Sequence, residues 1–446
     1  MLSFQDDVEK EVDEGLYQFT GGRWLYNEHE QRQARYARFD VAQLASIAGE
    51  ATGTTFCEFN SRLGNGFYNK TRRLIMGGSL SVVARIPCPV AGPSRLVTAS
   101  EVTTLQFARE VLKLPVPRVI TWNGANRGRT NGVGADYLLM KEAPEVALRK
   151  RWLKFTTQKE AEPVLLGLLE VEKRFKSLRF SRIGSIYFNE DVGPELIDVP
   201  LSRVLLMTLR CGSRKSILST LVGGEEQEPT YLWIVVPVCA LFLSVNPSGI
   251  LTSVAIGSES VSFFLAVAIN EQMVLAYESL TTNLTQFRRK PMHDRATHLK
   301  LLTMYLDAVP HFVPTTNDDI CAPTLWHPDL SLNNVFVSKS GPGHLQSLID
   351  WQHAVVLPYF MLGSAPRALM YNPDKVNMDW HLLRLASNYE QLTPEERTEC
   401  WLHLQLATRH HWYERSAWIN SERRGPICEL PHVNELVVLP SYVTRA

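Results

Sequence analysis

One stretch, Leu325 to Gln352 (LWHPDLSLNNVFVSKSGPGHLQSLIDWQ), constrains this chain more than any other. An apolar run follows Asn334, a Gly-Pro-Gly turn occupies Gly341 to Gly343, and a second, partly apolar run spans Leu345 to Ile349. Runs this short, split by a glycine-proline turn, form a strand, a turn and a strand. The polar residues His327, Asp329, Asn334 and Asp350 then fall just outside the strand ends. Asp329 is placed to accept a proton from a hydroxyl. Asn334, five residues on, can offer an amide oxygen to a metal ion, and Asp350 can hold the same metal from the neighbouring strand end. Phosphoryl transfer asks for this set, because it needs in-line positioning and oxygen ligands on Mg²⁺ to neutralise spreading negative charge. The competing reading is a surface hairpin whose polar residues cap turns, but such a hairpin does not require all four residues together.

The spacing resembles the protein-kinase pattern H-R-D-L-x-x-x-N, met here as His327-Pro328-Asp329-Leu330 and then Asn334, with proline in place of arginine. Four phrases extend the resemblance: GGRWLYNE (Gly21 to Glu28), VVARIP (Val82 to Pro87), LWHPDL (Leu325 to Leu330) and IDWQ (Ile349 to Gln352). Together they resemble the aminoglycoside phosphotransferase-like kinases, and among these the fungal group named Altered inheritance of mitochondria protein 9. The resemblance runs over about residues 15 to 190 and 270 to 370. It implies an α+β, two-lobed protein-kinase-like fold, with a small antiparallel β-rich N-lobe (52–140) after an N-terminal arm (1–51) and a larger, mainly helical C-lobe (141–446). It also implies ATP and Mg²⁺ as cofactors and a small-molecule acceptor. In that scheme Asp329 is the base, His327 buttresses its loop, and Asn334 and Asp350 are the metal ligands. An alternative from another class is a catalytically silent kinase-like scaffold, acting in mitochondrial maintenance as the group's name suggests.

Upstream, Phe56 to Leu63, Asn69 to Met76 and Leu80 to Ile86 read as strands joined by Gly64-Asn65-Gly66-Phe67 and by Gly77-Gly78. Gly64 and Gly66 would let backbone amides approach nucleotide phosphates, although hairpin turns need glycine too. Arg85 stands where the kinase pattern V-A-I-K has lysine; it keeps the charge but is bulkier, so the exchange is not conservative. Thr98 to Lys113 has helical spacing of Val102, Leu105, Ala108 and Leu112. Glu101 on that helix can pair with Arg85, as the kinase arrangement requires, or can close a capping box with Thr98. The strand Gly134 to Met140 leads to Lys141-Glu142, which the resemblance assigns to the connector that bonds the adenine edge. Leu165 to Phe175 and Asn270 to Asp307 follow helical patterns.

Composition excludes some classes of partner. With 46 basic and 46 acidic residues the formal charge is zero, so no global field recruits nucleic acid or an anionic membrane. The seven cysteines form no C-x-x-C pair, which suits a reducing compartment, cytoplasmic or mitochondrial. The acidic first residues do not read as a signal or transit peptide. Residues 195 to 268 depart from the family. There the apolar run Tyr231 to Val245 has only 15 residues and contains Pro237, fewer than the roughly 18 to 20 apolar residues that span a bilayer. A buried helix or strand pair, a membrane helix, and a segment that is not native coding sequence are the three readings of it.

Overall fold

The computed structural model describes residues 14–123, 132–155, 157–178, 180, 183–188, 191, 233–236, 260–278, 295–314, 318–362, 365–370, 377–379, 382–384 and 391–421. The chain divides into two units. The first comprises Met1–Ala143, Phe175–Pro328 and Ile349–Leu362; the second comprises Pro144–Arg174, Asp329–Leu348 and Gly363–Ala446.

The first unit is built on a five-stranded sheet, β1 (Phe56–Asn65), β2 (Asn69–Met76), β3 (Leu80–Pro87), β4 (Val119–Trp122) and β5 (Leu138–Lys141), ordered β1-β2-β3-β5-β4 and antiparallel throughout. Alternation along β3 sends Val82, Ala84 and Ile86 into one core, with Leu74 and Met76 of β2 and Leu139 of β5. Arg85 therefore stands on the opposite face. The arm closes that same core: Tyr17, Phe39 and Leu44 belong to it, the last from helix α2 (Val41–Thr52), which follows a short α1 (Glu28–Gln33). Asp40 starts α2 by accepting a hydrogen bond from the Gln43 amide at 2.8 Å, and Gly53, at φ 65°, ends it.

Helix α3 spans Ser94–Glu110, between β3 and β4. The expected start at Thr98 was one turn late. Pro93 stands at the N-cap, and the Thr98 hydroxyl donates to the Ser94 carbonyl at 2.8 Å inside the helix. Lys113, at φ 53°, lies beyond the helix end. Thr98 is thus not a cap, and Glu101 lies in the second turn. Elsewhere in this unit Pro323–Trp326 pairs with Val355–Pro358, and Ser185–Phe188 pairs antiparallel with Trp233–Val236. The latter pair makes four residues of the unusual apolar run a strand. The helix Ser260–Glu278 takes in the end of the segment 195–268, while 192–232 and 237–259 lie outside the described residues. Among the described residues no helix is long and apolar enough to cross a membrane.

The second unit holds the hairpin read from sequence. Val335–Val337 pairs with Leu345–Leu348 on one side and with Val146–Ala147 on the other. Its turn packs tightly: a Cβ on Gly343 would fall 2.5 Å from Phe155 Cζ, and the Gly343 amide donates to the Glu160 carbonyl at 2.9 Å. Helix α4 (Gln158–Lys176) passes close enough that a Cβ on Gly167 would meet Leu345 at 2.9 Å. The long helix Pro394–Ser421 sends buried Arg409 to the Trp152 and Phe155 carbonyls, at 2.9 and 2.8 Å, and its guanidinium lies 4.6 Å above the Trp152 ring. The fold is α+β. Its antiparallel sheet carries one helix between the third and fourth strands, and helices predominate later in the chain.

Candidate active site

The centre of the first unit's site is Arg85. Its Nη1 lies 2.7 Å from Glu101 Oε1, and its Nη2 donates to Asp350 Oδ1 at 2.6 Å. Residues from β3, α3 and the segment after the hairpin thus meet on one guanidinium. Arg85 and Glu101 are buried, at 8% and 4% exposure, so solvent screens their attraction little. Burial opposes the Arg85 charge, but the two carboxylates outweigh it and raise the pKa. Burial pushes the Glu101 carboxyl up to about 7, with Arg85 opposing and Asp350 adding to the rise. At Asp350 burial works against the charge, yet Arg85, with help from His327 and His353, holds the carboxyl below its ordinary range.

Asp350 has φ 68°, in the left-handed region that only Gly, Asn and Asp visit routinely. Three neighbours fix the segment around it. The His327 ring bonds the Ile349 carbonyl at 2.9 Å and meets the Trp351 ring edge-on at 4.7 Å, and Trp351 is fully buried. Gln352 and Asn69 exchange side-chain amide hydrogen bonds at 2.6 and 3.2 Å, which ties the segment to the start of β2. His353 bonds the Ala91 carbonyl at 3.1 Å.

In the second unit Asp329 begins the segment that leads into the hairpin. Asn334 donates through Nδ2 to the Asp329 carbonyl at 2.9 Å and to its carboxylate at 3.0 Å. The Asn334 side-chain oxygen is therefore the atom left for a ligand. Ser331 donates to Asp329 Oδ2 at 3.2 Å. Arg367 reaches Asp329 Oδ1 at 3.5 Å, an exposed cation on a short turn whose Ala368 amide donates to the Leu330 carbonyl at 2.9 Å. Nothing in the sequence pointed to Arg367, which lies 38 residues from Asp329 and outside any motif.

The glycine turn joins β1 and β2, with Asn65 opposite Lys70. A Cβ on Gly66 would meet nothing nearer than the Asn69 carbonyl at 3.7 Å, and Gly66 has no left-handed backbone. The turn itself does not demand that glycine. Glu142, expected to serve the connector, has its carboxylate on Arg73 and Ser81 and its amide on the Ser81 carbonyl at 3.2 Å.

No family model matches the chain. The subtelomeric hrmA-associated cluster protein of Aspergillus fumigatus is 30% identical over 386 residues, covering 85% of this chain and 73% of its own. Altered inheritance of mitochondria protein 9 is 24% identical in Clavispora lusitaniae, over 81% of this chain and 63% of its own. In Komagataella phaffii it is 22% identical, over 89% and 68%. Among solved structures, a GDP complex of aminoglycoside 2'-phosphotransferase-IIIa aligns over 85% of this chain and 94% of its own at 12% identity. Its TM-score of 0.32 is too low to bear on fold or function. On the Aspergillus match, the chain belongs to the fungal family that holds the subtelomeric hrmA-associated cluster protein, and it is similar to Altered inheritance of mitochondria protein 9.

Proposed function

We propose that this protein transfers the γ-phosphate of ATP to a hydroxyl on a small molecule. The observation that carries the reading is Arg85 gripped by Glu101 and Asp350, because a cation fixed on the third strand by a helix glutamate is what a nucleoside polyphosphate needs to meet. Arg85 would take the α- and β-phosphates in a guanidinium fork. Asn334 of the second unit offers an amide oxygen, and Asp350 of the first unit keeps its second carboxylate oxygen, a hard donor that suits Mg²⁺. Bound there, the ion would neutralise charge on the transferring phosphoryl group. Mg²⁺ commonly takes one or two protein ligands and fills its shell with phosphate and water, so a single carboxylate is sufficient.

Asp329 is the general base. Asn334 and Ser331 hold its carboxylate by hydrogen bonds, so it need not search for its geometry during reaction. Arg367 is the nearby cation that would offset charge gathering at the acceptor oxygen. The acceptor is not inferred from the aminoglycoside name: residues 351–446 carry 10 acidic and 9 basic side chains, a balance that does not favour a polycation.

The scaffold reading draws on Arg85 itself, since arginine replaces the lysine of the kinase pattern. Binding of ATP measured with and without Mg²⁺, together with turnover of Asp329→Asn, separates the two. The enzyme reading expects Mg²⁺-dependent binding in both proteins and turnover about 10² to 10⁴ lower in the variant. A parent that binds no nucleotide would leave the scaffold.

A further inference from the structure

The phrase Gly21 to Glu28 has no part in the site above, yet it lies against one of its loops. Arg23 is forked onto Glu28, at 3.1 and 2.9 Å, and Glu28 also takes Arg32 at 3.0 Å, so the arm is clipped across residues 23 to 32. This presents Trp24 beneath the Arg35 guanidinium, 4.8 Å from the ring centre. Arg35 is buried and is oriented by Gln31, whose side-chain and main-chain oxygens accept at 2.7 and 3.0 Å. Phe19 packs on Trp24 at 4.8 Å.

Phe67, in the turn between β1 and β2, completes this group. It stacks on Phe19 with ring centres 5.7 Å apart and planes 29° apart, and Arg35 lies 5.8 Å from its ring. Phe67 is 59% exposed, so the arm holds a side chain that burial alone does not. The next two residues are held from elsewhere. Tyr68 meets His353 edge-on at 5.3 Å, and Asn69 makes the amide pair with Gln352. A glycine turn of this kind moves freely unless something ties it down. Here residues from elsewhere hold three consecutive positions, two in the turn and the first of β2.

We propose that the N-terminal arm is a positioning element of the glycine loop, with Phe19 and Arg35, both packed on Trp24, holding Phe67 so that the amides of 64–66 keep the conformation that meets nucleotide phosphate. The part concerning phosphate rests on the kinase reading above; the part concerning the loop does not. Aromatic and cation–π contacts of this strength change an affinity by about tenfold when lost.

The test uses the full chain and the variants Trp24→Ala and Phe67→Ala, with Trp24→Phe as the conservative partner. Amide hydrogen exchange is read over 64–69 without nucleotide, and affinity for MgATP is measured by calorimetry. Phe67 is largely exposed, so its loss does not endanger folding. Exchange over 64–69 should quicken about tenfold in both alanine variants while β3 and α3 stay protected, and MgATP should bind about tenfold more weakly. Trp24→Phe should restore most of both. Unchanged exchange over 64–69 overturns the proposal. So does faster exchange with MgATP affinity equal to that of a nucleotide-binding parent. If the loop loosens as expected but the parent binds no MgATP, the arm's hold on the loop stands and the kinase reading fails.

Discussion

Arg85 is balanced between two carboxylates of opposite tendency. Removing it would cost a phosphate ligand and would also strand Glu101, so Arg85→Ala should weaken ATP binding by about 1.5 to 3 kcal/mol, or about ten- to a hundredfold. Arg85→Lys should recover part of that loss when titrated by calorimetry, because it keeps the charge without the fork. Glu101 makes a separate prediction about pH. Its folded-state pKa, about 7, lies above the ordinary carboxyl value, so the folded protein binds the extra proton. Its contribution to stability is therefore fully present at acid pH and is lost as pH rises through the interval from the ordinary value to about 7. Glu101→Gln has no such proton to lose. Urea midpoints at pH 5 and pH 8 should differ less in the variant than in the parent, and an equal difference would mean that Glu101 titrates normally. This pair was legible in part: sequence placed both residues but left Glu101 divided between cap and partner. The extra turn from Ser94 to Val97 removed the cap.

At the scale of elements, short strands with glycine turns were the easiest to read, because a period of two and a turn residue leave few alternatives. β2 starts and ends as expected, and β1 and β3 run two residues and one residue further. The hairpin at 335–348 was legible for the same reason. What sequence could not supply was side-chain company over long separations, such as Asn69 with Gln352 or Arg367 with Asp329, since no local pattern encodes partners 283 or 38 residues apart. The glycine turn offers a test in which stability and function move in opposite directions. Gly66→Ala has room for its methyl group and an ordinary backbone, so the loss of unfolded-state freedom should stabilise the fold by about 0.4 to 1 kcal/mol. If phosphate approaches that backbone, ATP affinity should nevertheless fall in the same protein. A thermal melt and a nucleotide titration of one sample decide it, and affinity equal to the parent's would take Gly66 out of the phosphate site.

For the whole molecule, the family was legible from four phrases scattered over more than 300 residues, whereas the segment 195–268 was not. Its apolar run carries no period that separates helix from strand, and the structure makes a strand of four residues within it, Trp233–Val236. The left-handed backbone at Asp350 has a consequence for how the chain tolerates change. In a saturation library covering position 350, two selections should give different answers. Selection for folding alone should retain Asp, Asn and Gly and should deplete Ala and β-branched residues, which resist that φ at a cost of about 1 to 2 kcal/mol. Selection for Mg²⁺-dependent nucleotide binding should retain Asp alone. Asp350→Asn therefore separates metal binding from backbone strain, and a natural relative with Asn or Gly at this position would be one that kept the shape of the site after giving up its metal.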